Sequence, residues 1–130
     1  MALTKEQIFA AKFERLKRVA VPEWGGEVWV KAMTVGERDA FEAGNRAVKD
    51  TGEDPWRDVK SRLVVATACD ESGALLFDES DVLRMRNDLL AAPVDRLADV
   101  AMDLAGMTKK DAETLAAELK NGQSAASHSA

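Results

Sequence analysis

The stretch that decides the fold reads VPEWGGEVWVKAMTVGERDAF and covers residues 21–41. It begins with a short apolar run that contains Pro22, a residue found in sheets mainly on edge strands. The glycine pair at positions 25–26 is able to adopt the positive φ angles of a tight hairpin turn. Residues 28–32 then alternate between two faces, which is the period of a half-buried strand. The sequence therefore predicts a β-hairpin over residues 21–33.

A second helix is predicted directly after the hairpin. Thr34 is followed three residues later by Glu37, and this spacing is typical of a capping box at a helix start. The helix is expected over residues 35–48, with Phe41 as its largest apolar side chain and a mostly charged surface. It should therefore lie on the outside of the domain.

The chain before the hairpin is predicted to be a single helix that extends to Ala20. Thr4 and Gln7 form its capping box, and apolar residues recur along one helical face. These residues are Phe9, Phe13, Leu16 and Ala20. Residues 1–20 sum to a charge of +3 in a chain whose net charge is −5. This basic helix is expected to present a solvated face, or to dock onto an acidic partner or a neighbouring copy of the chain.

A third helix and a third strand are predicted further along the chain. Asp54 and Pro55 mark the helix start, and Trp56 behind them is expected in the core. The helix interior at residues 59–69 is the most continuously apolar part of the chain, so it is expected at the centre of the domain. The short apolar segment at residues 75–77 is a candidate third strand beside the hairpin.

Three more helices are predicted, with starts at Asp78 or Ser80, at Pro93 and at Thr108. The last one carries a narrow apolar stripe that consists of Ala112, Leu115, Ala116 and Leu119. This stripe is expected to close the helix bundle or to dock in the groove of a partner. Residues 123–130 are small and polar, and they are expected to form a disordered tail.

These elements define the expected fold class. A chain of 130 residues with 46% apolar and 32% charged residues suits one soluble domain. We expect an α+β domain over residues 1–122, mostly helical, in which five or six short helices pack with a small N-terminal antiparallel β-hairpin. No apolar run approaches the roughly 20 residues that span a bilayer, and no signal peptide is evident. The acidic charge disfavours binding to nucleic-acid phosphates, so neither a membrane nor a nucleic acid is expected as a partner.

The chain offers little for catalysis or for metal binding. His128 is the sole histidine and belongs to the small polar tail, and Cys69 is the sole cysteine. Neither a nucleophile–base pair nor a zinc ligand set is therefore expected, and Cys69 should be a small core residue. The segment DESGALLFDESD at residues 70–81 superficially looks like a calcium loop, but its spacing departs from that pattern, so a turn and a helix cap are expected. We expect no enzyme activity and no cofactor.

Partner contact is the function that the residues favour. Tryptophan is over-represented at binding hot spots, and the hairpin contains two of the three tryptophans of the chain. Trp24, Val28 and Trp29 are the first candidates for contact with a partner, and Leu115 and Leu119 of the last helix are the second. The alternative for Trp29 is that it covers the edge of the core.

Two phrases of the sequence resemble the small tail assembly chaperones of long-tailed bacteriophages. They are VPEWGGEVWVKAMTVGERDAFE at residues 21–42 and CDESGALLFDESDVLRM at residues 69–85. Together with the helices between and after them, the resemblance covers roughly residues 3–119. It is a resemblance of layout and short phrases, and it includes no catalytic signature.

The resemblance implies a short, non-frameshifted chaperone that binds the phage tape-measure protein, keeps it soluble and helps to recruit tail-tube subunits. Such a protein works in the host bacterial cytoplasm, is absent from the mature virion and in some cases self-associates. The alternative is a structural virion component such as a head–tail connector or a tail-terminator subunit, which forms a closed ring. A DNA-binding repressor or a small regulatory enzyme fits the acidic charge and the sparse chemistry less well.

Overall fold

The computed structural model describes residues 2–11, 15–54 and 56–106. Within these residues the chain forms five α-helices and one antiparallel sheet with the strand order β1-β2-β3. The helices are α1 (Lys5–Ala10), α2 (Val35–Asp50), α3 (Val59–Thr67), α4 (Asp81–Asp88) and α5 (Ala91–Leu104). The strands are β1 (Leu16–Val21), β2 (Gly26–Lys31) and β3 (Ala68–Cys69). The predicted class, a mostly helical α+β domain with an N-terminal hairpin, is confirmed.

The hairpin is formed by strands that lie partly outside the predicted range. β1 and β2 pair along their full lengths in antiparallel register. The residues between them, Pro22–Trp24, form one 3₁₀ turn and not the first strand that the sequence predicted. Gly25 ends this turn with φ +75°, in the left-handed region that favours glycine. Gly25 therefore has the predicted role in the turn, whereas Gly26 is the first residue of β2, and the first strand is displaced toward the N-terminus.

The prediction of a single helix that reaches Ala20 is wrong beyond the end of α1. Its start is as predicted, because Gln7 N–H donates to Thr4 Oγ1 at 3.2 Å and Thr4 N–H donates to Gln7 Oε1 at 2.9 Å. The later residues form β1 because pairing with β2 buries Val19 and Val21. The helical spacing of nearby apolar residues is a local signal, and this tertiary burial outweighs it.

The core lies between the inner face of the sheet and the helices α3, α4 and α5. Its sheet residues are Val19, Val21, Val30 and Ala68, and its main helical residues are Leu63, Val64, Val65, Val82, Met85, Val94, Leu97, Ala98 and Ala101. α3 packs against α2, α4, α5 and β2. The expectation that the third helix is central is therefore confirmed. α2 lies on the outside as expected, and its only fully buried residue is Asn45.

The third strand is not the segment that the sequence predicted. β3 continues directly from α3 and pairs with β2. Of the predicted strand at residues 75–77, Leu75 forms an isolated bridge with Cys69, and Leu76 N–H donates to Ala68 O at 3.1 Å. The chain returns alongside β3 because Asp70 Oδ1 accepts hydrogen bonds from Ser72 N–H at 2.8 Å and Ala74 N–H at 3.1 Å, which fixes a turn.

The helix starts agree with the predicted starts to different degrees. α2 begins with the predicted capping box, in which Thr34 N–H donates to Glu37 Oε1 at 2.8 Å. α3 begins later than predicted, because Asp54 Oδ1 accepts from Trp56 N–H at 3.0 Å in a turn that precedes the helix. The expectation that Trp56 lies in the core is wrong, since its side chain is 43% exposed. The predicted helix from Thr108, with its stripe and the tail behind it, lies outside the described residues.

Candidate partner-binding surfaces

The outer face of the sheet carries one row of side chains that crosses all three strands. Arg18 lies opposite Trp29, Trp29 lies opposite Cys69, and Cys69 is bridged to Leu75. Residues that are directly opposite on antiparallel strands share a face, so these four side chains are neighbours and are called the outer row below. The guanidinium carbon of Arg18 lies 6.0 Å from the centre of the Trp29 ring. This distance is within the range of a cation–π interaction.

Cys69 is the covered member of the outer row. It is 1% exposed, and burial raises the pKa of its thiol. A buried thiol with a raised pKa is a poor nucleophile. The expectation that Cys69 is a small buried residue is therefore confirmed, although it lies on the outer face of the sheet. The accessible part of the row is made of Arg18, the half-buried Trp29 and Leu75.

The 3₁₀ turn carries Trp24 and is clamped to α5. Glu23 accepts two hydrogen bonds from Arg96, each 2.7 Å long, in a bidentate pair. These bonds are the main reason that the pKa of Glu23 falls to about 2. Trp24 follows directly in the chain and is 37% exposed. It is thus an exposed aromatic side chain on a turn whose position is fixed by a helix distant in sequence.

The opposite end of the hairpin is clamped to the start of α2. Glu37 accepts hydrogen bonds from Arg15 at 2.9 Å and from the Lys31 ammonium, in addition to its bond with Thr34. The Lys31 bond is the largest cause of the low pKa of Glu37, which is about 2. Lys31 stands two positions after Trp29 on the same strand, so it shares the outer face. Ion pairs therefore hold the hairpin at both ends.

The three hairpin residues that were predicted to contact a partner occupy different positions. Val28 is half-buried on the inner face and packs against the core. Trp29 belongs to the outer row, and Trp24 stands on the turn. The structure thus separates Val28 from Trp29 by the thickness of the sheet. Leu115 and Leu119 lie outside the described residues. The role of all five in partner binding stays a prediction.

A second surface, which the sequence did not predict, lies between α3, α4 and α5. It is a groove of about 390 Å³ whose apolar walls are Trp56, Met85, Leu89, Leu90 and Val94; we call it the α3–α5 groove. Trp56 is 43% exposed and Leu90 is 73% exposed. Three separate segments form the groove, so no local pattern marks it. The sequence predicted Leu89 and Leu90 as apolar residues of the fourth helix, whereas the structure places them between α4 and α5.

Four charged side chains of the α3–α5 groove form two ion pairs. Arg86 donates to Asp58 through Nε at 3.0 Å and through a second bond from Nη2, and these bonds lower the pKa of Asp58. Lys60 Nζ lies 3.2 Å from Asp95 Oδ1, which joins α3 to α5. These pairs neutralise four of the charges that line the groove, while Arg57 also lines it, so the groove combines apolar walls with a cationic side chain.

A buried polar contact explains how the outer helix α2 is held. Arg62 of α3 is 5% exposed and donates through Nε to Asn45 Oδ1 of α2 at 2.7 Å. Burial is the largest effect on Arg62 and lowers its pKa. A hydrogen bond to a charged group contributes about 1.5–3 kcal/mol, so this contact helps to hold α2 against α3.

The described part of the chain has no site that resembles a metal centre. Among residues 2–11, 15–54 and 56–106, no group of three or more His, Cys, Asp or Glu side chains is placed to hold a metal ion. The segment at residues 70–81 forms the expected turn at Asp70, followed by the start of α4. Within the same ranges, each helix is too short or too polar to cross a bilayer.

The hairpin face and the α3–α5 groove are partly exposed apolar surfaces of this α+β fold. A solved structure with the same fold is the tail assembly chaperone of bacteriophage HK97. The two chains are 20% identical, the match covers 80% of this chain and 95% of that chain, and the TM-score is 0.53. The resemblance inferred from the sequence thus extends to the three-dimensional fold. The sequence matches no protein-family model and no curated protein.

Proposed function

We propose that this protein is a phage tail assembly chaperone. In this proposal it binds the tape-measure protein, keeps it soluble and helps to recruit tail-tube subunits. The observation that carries the proposal is the fold shared with the tail assembly chaperone of bacteriophage HK97 over 95% of that chain. The two sequence phrases at residues 21–42 and 69–85 support it independently, because they come from the hairpin and from the turn before α4.

Binding without catalysis is part of the proposal. The buried thiol of Cys69 has a raised pKa, which disfavours a nucleophilic role. The lowered pKa values of Glu23 and Glu37 arise from ion pairs that hold the hairpin. They keep these carboxylates charged at neutral pH, which suits a structural role better than proton transfer.

The outer row and Trp24 are the proposed contact surface for the tape-measure protein. Trp29 is half-buried and Trp24 is 37% exposed, so both keep apolar area available while their positions are fixed by ion pairs. A fixed aromatic side chain loses little conformational entropy on binding, which favours affinity. Several copies along one long helical client would add their modest contacts, and multivalency would raise the total avidity.

Co-expression with the tape-measure protein of the same phage tests this function. The tape-measure protein should become soluble and should co-purify with the chain. Trp24→Ala and Trp29→Ala should weaken that binding, by about 2 kcal/mol or 30-fold in Kd for a hot-spot residue. Leu83→Ala is the matched control, because Leu83 is 56% exposed on α4 and lies away from the hairpin.

The outcomes of this experiment separate the two candidate roles. If the tape-measure protein stays insoluble both with this chain and with any longer frameshifted product, the chaperone proposal fails. Mass spectrometry of purified virions gives the complementary result. A chaperone of the host cytoplasm should be absent from the particles, whereas a head–tail connector or tail-terminator subunit would be present.

A further inference from the structure

The first helix carries apolar side chains that the rest of the described structure leaves uncovered. No residue of α1 is buried, and Phe9 is 83% exposed, more than any other large apolar side chain in the described part of the chain. Leu3 and Ile8 are 69% and 56% exposed. They occupy the N′ and N4 positions around the cap at Thr4, which is the arrangement of a hydrophobic staple. Residues 3–9, called the N-terminal arm below, are therefore a capped helical segment whose apolar side chains face water.

One face of the N-terminal arm joins an apolar side chain to a carboxylate. Glu6 and Phe9 are three positions apart on α1, so their side chains are neighbours on the helix surface. Within the residues that the structure describes, Glu6 forms no ion pair. This face therefore offers an apolar anchor and one negative charge without a counter-ion, close together.

The α3–α5 groove offers the complementary pair of features. Its walls Trp56 and Leu90 are 43% and 73% exposed. Arg57 lines the same groove next to Trp56, and the nearby carboxylate of Asp58 already accepts two hydrogen bonds from Arg86. In the described ranges Arg57 takes part in no ion pair. The groove thus presents an apolar wall beside a positive charge that lacks a bonded carboxylate.

The N-terminal arm does not occupy the groove of its own chain. No residue of α1 lines the groove, and every residue of the arm is exposed. The groove volume of about 390 Å³ lies toward the lower end of the range of about 300–1,000 Å³ for ligand pockets. A groove of this size suits the side chains of one or two helical turns, which is the length of the arm. A second copy of the chain supplies such a segment.

We propose that the N-terminal arm of one copy docks in the α3–α5 groove of a second copy. Phe9 lies there against Trp56 and Leu90. Glu6 pairs with Arg57, which fixes the orientation of the arm. The contact joins two different surfaces of the same molecule and is heterologous, so it builds dimers or longer assemblies. This inference does not depend on the proposed chaperone function, and it leaves the outer row free for another partner.

Sedimentation velocity over a concentration series tests the role of Phe9. A contact this small is expected to be weak, so the series runs from about 5 to 500 μM protein. The unmodified chain should self-associate within this range. Phe9→Ala should weaken self-association by roughly 10-fold or more, as expected for an aromatic anchor. Val35→Ala is the matched control and should have no effect, because Val35 is 82% exposed on α2 and does not line the groove.

A charge exchange tests the pairing of Glu6 with Arg57 and shows that it joins two chains. Glu6→Arg and Arg57→Glu should each weaken self-association, because like charges then meet at the contact. An equimolar mixture of the two variants should associate again, since each arm then finds a groove of opposite charge in the other variant. Circular dichroism of each variant alone verifies that both are folded.

The emission of Trp56 reports the occupancy of the groove. With Trp24→Phe and Trp29→Phe, Trp56 is the remaining tryptophan. Dilution should move its emission to longer wavelength, because the arm of the second copy leaves and water enters the groove. In the same background, Phe9→Ala should emit at the longer wavelength at every concentration.

Four results would overturn the proposal. A monomer at every concentration would mean that arm and groove do not bind each other. Self-association that Phe9→Ala leaves unchanged would place the interface elsewhere. Failure of the mixed charge variants to associate would contradict the ion pair. A change in Trp56 emission on Phe9→Ala, with no change on dilution of the unmodified arm, would assign the arm to the groove of its own chain.

Discussion

Trp29→Ala is the substitution that most directly tests the outer row. A fully buried Phe or Trp loses about 3–5 kcal/mol when it is cut back to alanine. Trp29 is half-buried, so about 2 kcal/mol is expected, including about 0.5–1 kcal/mol for the contact with Arg18. A small domain is stable by about 5–15 kcal/mol. The variant should therefore stay folded, and Cys69 should become accessible because its cross-strand neighbour is gone.

Two measurements on the same variant give the answer. Urea unfolding gives the loss in free energy, and the rate of reaction with a thiol reagent reports the exposure of Cys69. For a control such as Leu97→Ala, the labelling rate should follow the measured unfolding equilibrium, because Leu97 lies in α5 at 1% exposure. In Trp29→Ala, the thiol reagent should react with Cys69 faster than the measured unfolding equilibrium of that variant predicts.

Two results would refute this reasoning. If labelling in Trp29→Ala only follows global unfolding, Trp29 does not cover Cys69. If the variant loses 4 kcal/mol or more, about the full cost for a buried aromatic residue, Trp29 belongs to the core and its assignment to partner contact is wrong.

Three further predictions concern the clamps and the turn. Asp58→Asn should cost about 2 kcal/mol in urea unfolding at pH 7, less than the 3–5 kcal/mol of a fully buried pair, because Arg86 keeps part of its exposure. The folded-state pKa values of Glu23 and Glu37 lie near 2, below the usual 4.5, so the stability that these carboxylates contribute is complete above about pH 5 and is lost as pH falls toward 2. Glu37→Gln should therefore make the free energy of unfolding depend less on pH in this range. An unchanged pH dependence would contradict the ion pair. Gly25→Ala should cost about 1–2 kcal/mol by thermal unfolding, because its φ of +75° strains an L-residue, while the same change at Gly36 in the first turn of α2 should not.

Features that depend on neighbouring residues were predictable from the sequence. The capping boxes at Thr4 and Thr34 are complete within four residues, and both are present. The centrality of α3 followed from a continuous apolar run, because a helix that is apolar on all sides has to be enclosed. The turn at Asp70 was predictable for the same reason, since its hydrogen bonds stay within residues 70–74.

Features that depend on distant residues were not predictable. β1 has a helical apolar spacing, and only its partner strand makes it a strand. Trp56 follows a strong helix-start signal, yet the Asp54 turn delays the helix and leaves the ring exposed. The α3–α5 groove joins three segments, and the clamp of Arg96 on Glu23 spans 73 positions. The strand pairing, the groove and the clamp leave no trace in a window of ten or fifteen residues, whereas the Asp54 bond to Trp56 is local and competes with the helix-start signal.

The clamp between Glu23 and Arg96 also sets an order of events during synthesis. The two residues are 73 positions apart, so at about 5–20 residues per second Arg96 leaves the ribosome roughly 4–15 s after Glu23. A hairpin forms within microseconds, but its inner face packs against α5, which does not yet exist. For several seconds the nascent hairpin therefore exposes Val21 and Val30, together with an untethered Trp24. Translation of α5 is the step that covers this surface, and a pause before it would prolong the interval in which the emerging chain is prone to aggregate.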